Sequence, residues 1–278
     1  MRDNGIPETQ GHDGLDWFAG LAREALGRLV SVRDKVGAGL DHAHLELFLQ
    51  ILATESAVDP AVLLDTMIAL HLEPEMIACD YAAEAARVLG EGWLSDELSF
   101  VDVTIRTERL HGLVRRVDEM IADSVVSKGP AALILVAAGE QHTLGAFVLA
   151  LQLRLAGFSA VVRVAPVAAD LTVLLAANRF DLALVSIGCT AGLESGVGLV
   201  RTVRLMSRGD MRVYVGGAVP VTDEVLLEKT GADRVLRHVS ALLTDYKGRV
   251  SGRALDRDFM GNQRSLTRST VKGVRVDK

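Results

Sequence analysis

Apolar residues recur along this chain in two rhythms, and the change between them falls near residue 130. Trp17, Leu21, Leu26 and Leu29 stand near helical spacing, and Leu45, Phe48, Leu49 and Leu52 follow i, i+3, i+4, i+7. Leu63, Leu64, Met67 and Ile68 repeat the pattern behind Asp59-Pro60. Such spacing lays one apolar stripe along a helix, and a proline behind an aspartate marks a helix start. Pro74 opens a further helix through Ile77, Tyr81 and Ala85 to Leu89, with an end expected at Gly90-Glu91-Gly92. A long helix carries Phe100, Val103, Leu110, Leu113, Val114, Val117 and Ile121 and stops before Gly129-Pro130. The first half therefore reads as a bundle of four or five helices.

From Ala131 the rhythm shortens. The runs Ala131–Val136, Ala160–Val164, Leu182–Ser186, Arg212–Val215 and Arg234–Leu236 are of β type and begin at intervals of 20 to 30 residues. Amphipathic stretches lie between them, such as Leu144, Phe147, Val148, Leu151 and Leu155, closed by Gly157. Apolar strands joined by helical crossovers predict a doubly wound, flavodoxin-like parallel sheet of five strands, covered on both faces. The expected organisation is a disordered N-terminus over 1–15, a helical bundle over 16–127, the α/β domain over 128–246 and a disordered tail over 247–278.

Composition narrows the setting. Of 278 residues, 49% are hydrophobic and 24% charged, enough to bury a core and too apolar for a disordered chain. No apolar run reaches the ~18 residues of a membrane helix, and the polar N-terminus does not resemble a secretory signal, so no membrane partner is expected. Two cysteines, Cys79 and Cys189, are too few for a disulfide framework, and a reducing cytoplasm fits. The net charge of −6 divides unevenly, with a balance of +6 from Lys247 onward and −12 before it. An acidic body is a poor generic partner for nucleic acid, so any DNA contact is expected to be weak and to run through the basic tail.

Ligands of doubly wound sheets bind beyond the carboxyl ends of the strands, which directs attention to loops 137–145, 186–192 and 216–222. The first reads Ala138-Gly139-Glu140-Gln141-His142-Thr143-Leu144-Gly145 and places an imidazole at a strand tip. The second opens with Ser186-Ile187-Gly188, offering a hydroxyl and a small residue, and the third follows Tyr214-Val215 with Gly216-Gly217. Absent side chains at that glycine pair are expected to leave a slot beside the sheet.

These loops resemble the cobalamin-binding domain of methionine synthase, corrinoid carrier proteins and CarH-type photoreceptors. That family's signature is Asp-x-His-x-x-Gly, then Ser-x-Leu, then Gly-Gly; here stand His142-Thr143-Leu144-Gly145, Ser186 and Gly216-Gly217. The resemblance implies that His142 is the lower axial cobalt ligand and that the glycines admit the nucleotide tail. It further implies that the helical half is a cap, whose Trp93 touches the corrin from above. Glu140 takes the place of the aspartate, and Ser186-Ile187-Gly188 departs from Ser-x-Leu. Glu140-Gln141-His142-Thr143 is the form associated with the AerR/PpaA proteins of purple photosynthetic bacteria, which the chain resembles in length and architecture. That likeness implies a cobalamin-dependent, light-responsive antirepressor, without catalytic turnover, acting on a CrtJ/PpsR-type repressor. It leaves adenosyl-, methyl- and hydroxocobalamin undistinguished. CarH-type caps carry a Glu-His pair ten residues beyond the tryptophan, where this chain has Val103 and Thr104.

Two other readings use the same residues: a corrinoid carrier in a methyl-transfer system, and a haem sensor with His142 on iron. Elsewhere His111, among Arg109, Arg115 and Arg116, is expected on a solvated surface, and His42 and His44 on different helix faces. Cys189 is expected as a small buried thiol, and Gly192 to Gly198 as a loop entering a helix, since it lacks a P-loop lysine.

Overall fold

The computed structural model describes residues 40–54, 59–122, 129–140, 142–219, 221–244 and 246. The predicted N-terminal helix around Trp17, Gln141 and the basic tail lie outside the described residues. Helix α1, His42–Leu52, starts where the Asp41 carboxylate accepts the His44 N–H at 3.1 Å. Helix α2, Pro60–Ala69, is capped in the same way by Asp59 through the Ala61 N–H at 2.9 Å. Helix α3 begins as Pro74–Met76, passes through a π-helical turn at Ile77–Tyr81 and continues as Ala82–Leu94. It therefore runs through the glycines expected to end it. Gly92 instead serves the turn that follows, because its carbonyl accepts the Glu97 and Leu98 N–H groups at 2.9 Å, and a Cβ there would stand 2.9 Å from Leu98 Cδ1. Helix α4, Phe100–Ala122, opens on a reciprocal capping pair, with the Ser99 N–H donating to Asp102 and the Asp102 N–H donating to Ser99 Oγ.

The π turn buries Ile77, Ala78, Cys79 and Tyr81, and Tyr81 meets Phe48 of α1 with ring centroids 6.2 Å apart. Burial, reinforced by Asp80 and Glu75, pushes the Cys79 thiol up to about 12, so it is an inert core residue.

The α/β half contains β1 (Ala131–Val136), α5 (Leu144–Leu155), β2 (Ser159–Val164), α6 (Ala168–Ala177), β3 (Leu182–Ser186), α7 (Leu193–Met206), β4 (Arg212–Gly216), α8 (Asp223–Thr230) and β5 (Arg234–Val235). All strand pairs are parallel, in the order β2-β1-β3-β4-β5. Leu133 and Leu135 of β1 face Leu171 of α6, Leu199 and Val203 of α7 and Leu226 of α8 in one core. On the other side, Leu144, Val148 and Leu151 of α5 join the core of the helical bundle. Bundle and sheet thus share apolar packing.

A polar clamp supports that shared core. Arg154 of α5 donates to both carboxylate oxygens of Asp118 on α4 at 2.6 Å and to the Ala160 carbonyl of β2 at 2.6 Å. One compact unit extends through Val235, and a second begins at Leu236, with a helical segment over 239–244. Among the described residues no helix is long and apolar enough to cross a membrane.

Candidate functional site

In this strand order the chain leaves β1 toward β2 on one side and later returns to β3 on the other, so a crevice opens at the tips of β1 and β3. The loops at that crevice bring Glu140, His142 and Gly188 together. The Glu140 side chain is 1% exposed, while that of His142 is 37% exposed. Glu140 Oε1 accepts the His142 backbone N–H at 2.7 Å and faces its ring Nδ1 at 2.8 Å. Burial pushes the Glu140 carboxyl up, but hydrogen bonding from the His142 ring and backbone, the His142 charge and the Gly188 amide outweigh it. The net effect holds it below the ordinary glutamate value, so Glu140 is ionised at neutral pH.

An ionised carboxylate only accepts, so Nδ1 carries a proton, and in the neutral ring Nε2 is then the nitrogen that keeps the lone pair. The pair therefore presents one oriented imidazole nitrogen from a half-exposed ring. The extra methylene of glutamate is accommodated by the missing side chain at Gly188, where a Cβ would stand 2.0 Å from Glu140 Oε2. Oε2 itself is buried without a hydrogen-bond partner of ordinary geometry, although the Gly188 amide helps to hold the carboxyl down.

Other residues expected at the site fall in and out of this arrangement. Ser186 ends β3 in register with Val136 and Gly216, and no hydrogen bond joins it to Glu140 or His142. Gly145 lies in the first turn of α5, and a Cβ there would meet nothing within 4 Å, so the face beside the His142 loop is open. Gly216 accepts the Ile187 N–H at 2.8 Å. Gly217 corrects an expectation: its φ is +115°, and a Cβ would lie 2.3 Å from the Ile187 carbonyl oxygen. The place of the missing side chain there is taken by backbone, so the absence of a Cβ at Gly217 serves to let two loops meet. Trp93, one residue before the end of α3, is half-buried, its ring 6.3 Å from that of Phe100, which is 62% exposed. Cys189 is half-buried, with Sγ 3.9 Å from the Gly139 carbonyl oxygen.

Gly196 lies inside α7 against Ile187, where a Cβ would come within 2.3 Å of Cδ1, so the helix starts earlier than its glycines suggest. A second correction concerns His111. It is half-buried, its Nε2 lies 3.2 Å from the Thr143 hydroxyl, and its ring meets Phe147 edge-on at 5.5 Å. The neighbouring arginines suggested solvent, but position 111 borders the stripe of Leu110 and Val114 and lies two turns from Asp118, on the side of α4 that meets α5. Its spacing to Asp118 was the signal available in the sequence.

Comparison with known proteins follows the same lines. No family model matches the chain. The monomethylamine corrinoid protein of Methanosarcina barkeri is similar in structure, with a TM-score of 0.59 at 17% identity, over 74% of this chain and 98% of that one. That likeness establishes the fold. A cobalamin-binding protein from Desulfitobacterium hafniense superposes with a TM-score of 0.39 at 15% identity, covering 74% of this chain and 96% of the other. In sequence, an uncharacterized 20.5 kDa protein in the bchF-crtJ intergenic region of Rhodobacter capsulatus is 38% identical over 187 residues, which is 66% of this chain and 97% of that protein. At that identity and coverage, the chain belongs to the family of this Rhodobacter capsulatus protein.

Proposed function

We propose that the protein binds cobalamin through Nε2 of His142 and acts as a light-responsive antirepressor of the AerR/PpaA kind on a CrtJ/PpsR-type repressor. The observation that carries this reading is the ionised, buried Glu140 that fixes the His142 tautomer and leaves Nε2 free. A bare metal ion needs three or four protein ligands, and among the described residues no such cluster exists. A metal already enclosed in a macrocycle needs one axial donor, which is what His142 offers. The open face beside Gly145 and the position at the β1/β3 crevice fit a bulky planar group.

When bound in an alkylated form, cobalamin would supply a photolabile cobalt–carbon bond. The chain's own part is to hold the imidazole oriented with Nδ1 toward Glu140, and to present a bundle whose Trp93 and Phe100 are available to a second face of the cofactor. The corrinoid-protein fold supports the cofactor, and the relative's bchF-crtJ locus supports the photosynthesis setting. The test is the absorption spectrum of the full-length protein and of His142→Ala after incubation with hydroxocobalamin. The native protein is expected to retain the corrinoid through gel filtration and the folded variant to lose it. Equal retention by the variant, or purification of the native protein with haem, would overturn the reading.

A further inference from the structure

Thr143 immediately follows His142 and occupies the cap position of α5, yet its hydroxyl makes no cap hydrogen bond to that helix. Threonine at such a position ordinarily accepts an N–H of the first turn and stabilises the helix start. Here the hydroxyl is turned to His111 of α4 instead, 3.2 Å from Nε2. The local preference has been given up for a bond across two helices. We propose that His111 is a positioning residue of the cofactor site, anchoring the His142 loop to the bundle through Thr143 so that axial ligation at His142 is sensed along α4.

This rests on the reading of His142 as an axial ligand. The placement of α4 beside α5 gives the bond its leverage. His111 meets Thr143 and Phe147 at the start of α5, and Asp118, two turns along α4, meets Arg154 near its end. The two helices run in the same sense, and α4 holds α5 near both ends of the shorter helix. A displacement of the loop at Thr143 must therefore shift α4 or break the His111 contact. Consecutive Cα atoms are only ~3.8 Å apart, so Thr143 cannot ignore a movement of His142. Burial holds the His111 ring below its ordinary range, with Glu108 opposing and Arg115 assisting, and an uncharged ring can exchange one hydrogen bond with a hydroxyl without leaving a buried charge.

The experiment uses full-length protein labelled with 15N-histidine and three variants, Thr143→Val, Thr143→Ser and His111→Phe. In the cofactor-free protein, Thr143→Val is expected to move the His111 Nε2 resonance, and Thr143→Ser to restore it. Adding hydroxocobalamin to native protein is expected to move the same resonance. Thr143→Val and His111→Phe, the latter keeping a ring against Phe147, are expected to weaken cobalamin on the order of tenfold, with Thr143→Ser near native. If both weaken nothing while His142→Ala abolishes binding, the coupling is refuted and the axial-ligand reading stands. If His142→Ala itself retains cobalamin, the axial-ligand reading fails and the coupling falls with it.

Discussion

At the scale of single residues, Glu140 and Gly217 show how differently two positions of one motif act. Glu140 is buried, ionised and committed to the His142 ring. Its carboxyl lies below the ordinary value of 4.5 when folded, so its contribution to stability is complete above that value and is lost as pH falls through the lower folded value. Glu140→Gln should flatten the acid limb of urea-denaturation stability below about pH 4.5 and leave the neutral limb parallel to native. It should also weaken cobalamin at least tenfold by removing the charge behind Nδ1. An unchanged acid limb would show that the pair is not ionised. Gly217 is held by backbone, with φ +115° and Ile187 in the way. Gly217→Val should therefore cost about 1–3 kcal/mol or more through overpacking, with equal falls in melting temperature with and without cofactor. A loss confined to the cofactor-bound form would restore the slot that the sequence suggested.

At the scale of elements, the clamp between α4 and α5 decides how the bundle meets the sheet. Arg154→Met removes the donors to Asp118 and to the Ala160 carbonyl. The expected loss is about 1.5–3 kcal/mol, toward the lower figure because both side chains are about a third exposed, 29% and 31%. A shift in the urea midpoint at constant slope reads it, and no shift would mean that apolar packing alone holds α4 to α5. Elements were the most legible feature of the sequence. Leu182–Ser186 and Ala131–Val136 stand as strands over the ranges their apolar runs predicted, and Gly157 closes α5 with φ +87°. Misreadings clustered at glycines and at contacts between distant segments. Gly92 and Gly196 read as breaks but lie inside helices where another side chain presses close. His111 read as solvated because arginines stand within five residues of it, whereas its partner Thr143 is 32 residues away. The Glu140–His142 pair was visible as a two-residue spacing, but the space that Gly188 leaves for the longer acid was not.

At the scale of the whole molecule, the charge separation governs what the protein can bind. The chain through residue 246 has a balance of −12, and the remainder +6. An acidic body docks readily against a basic DNA-binding face and repels duplex DNA. A chain ending at Tyr246 should still capture the CrtJ/PpsR-type repressor in a pull-down, with capture differing between dark and illuminated cobalamin-loaded samples. Full-length protein should bind DNA only weakly and with steep salt dependence. Tight, sequence-selective DNA binding without repressor would overturn the antirepressor reading. All of this depends on His142 being the axial ligand, which the electron paramagnetic resonance spectrum of the protein loaded with cob(II)alamin tests most directly. Axial nitrogen splits the unpaired electron's lines into triplets when it is 14N and into doublets when it is 15N. With 15N-histidine in the protein and unlabelled cofactor, triplets should become doublets, and His142→Ala should lose the doublets; triplets that persist in the labelled protein would contradict ligation by His142.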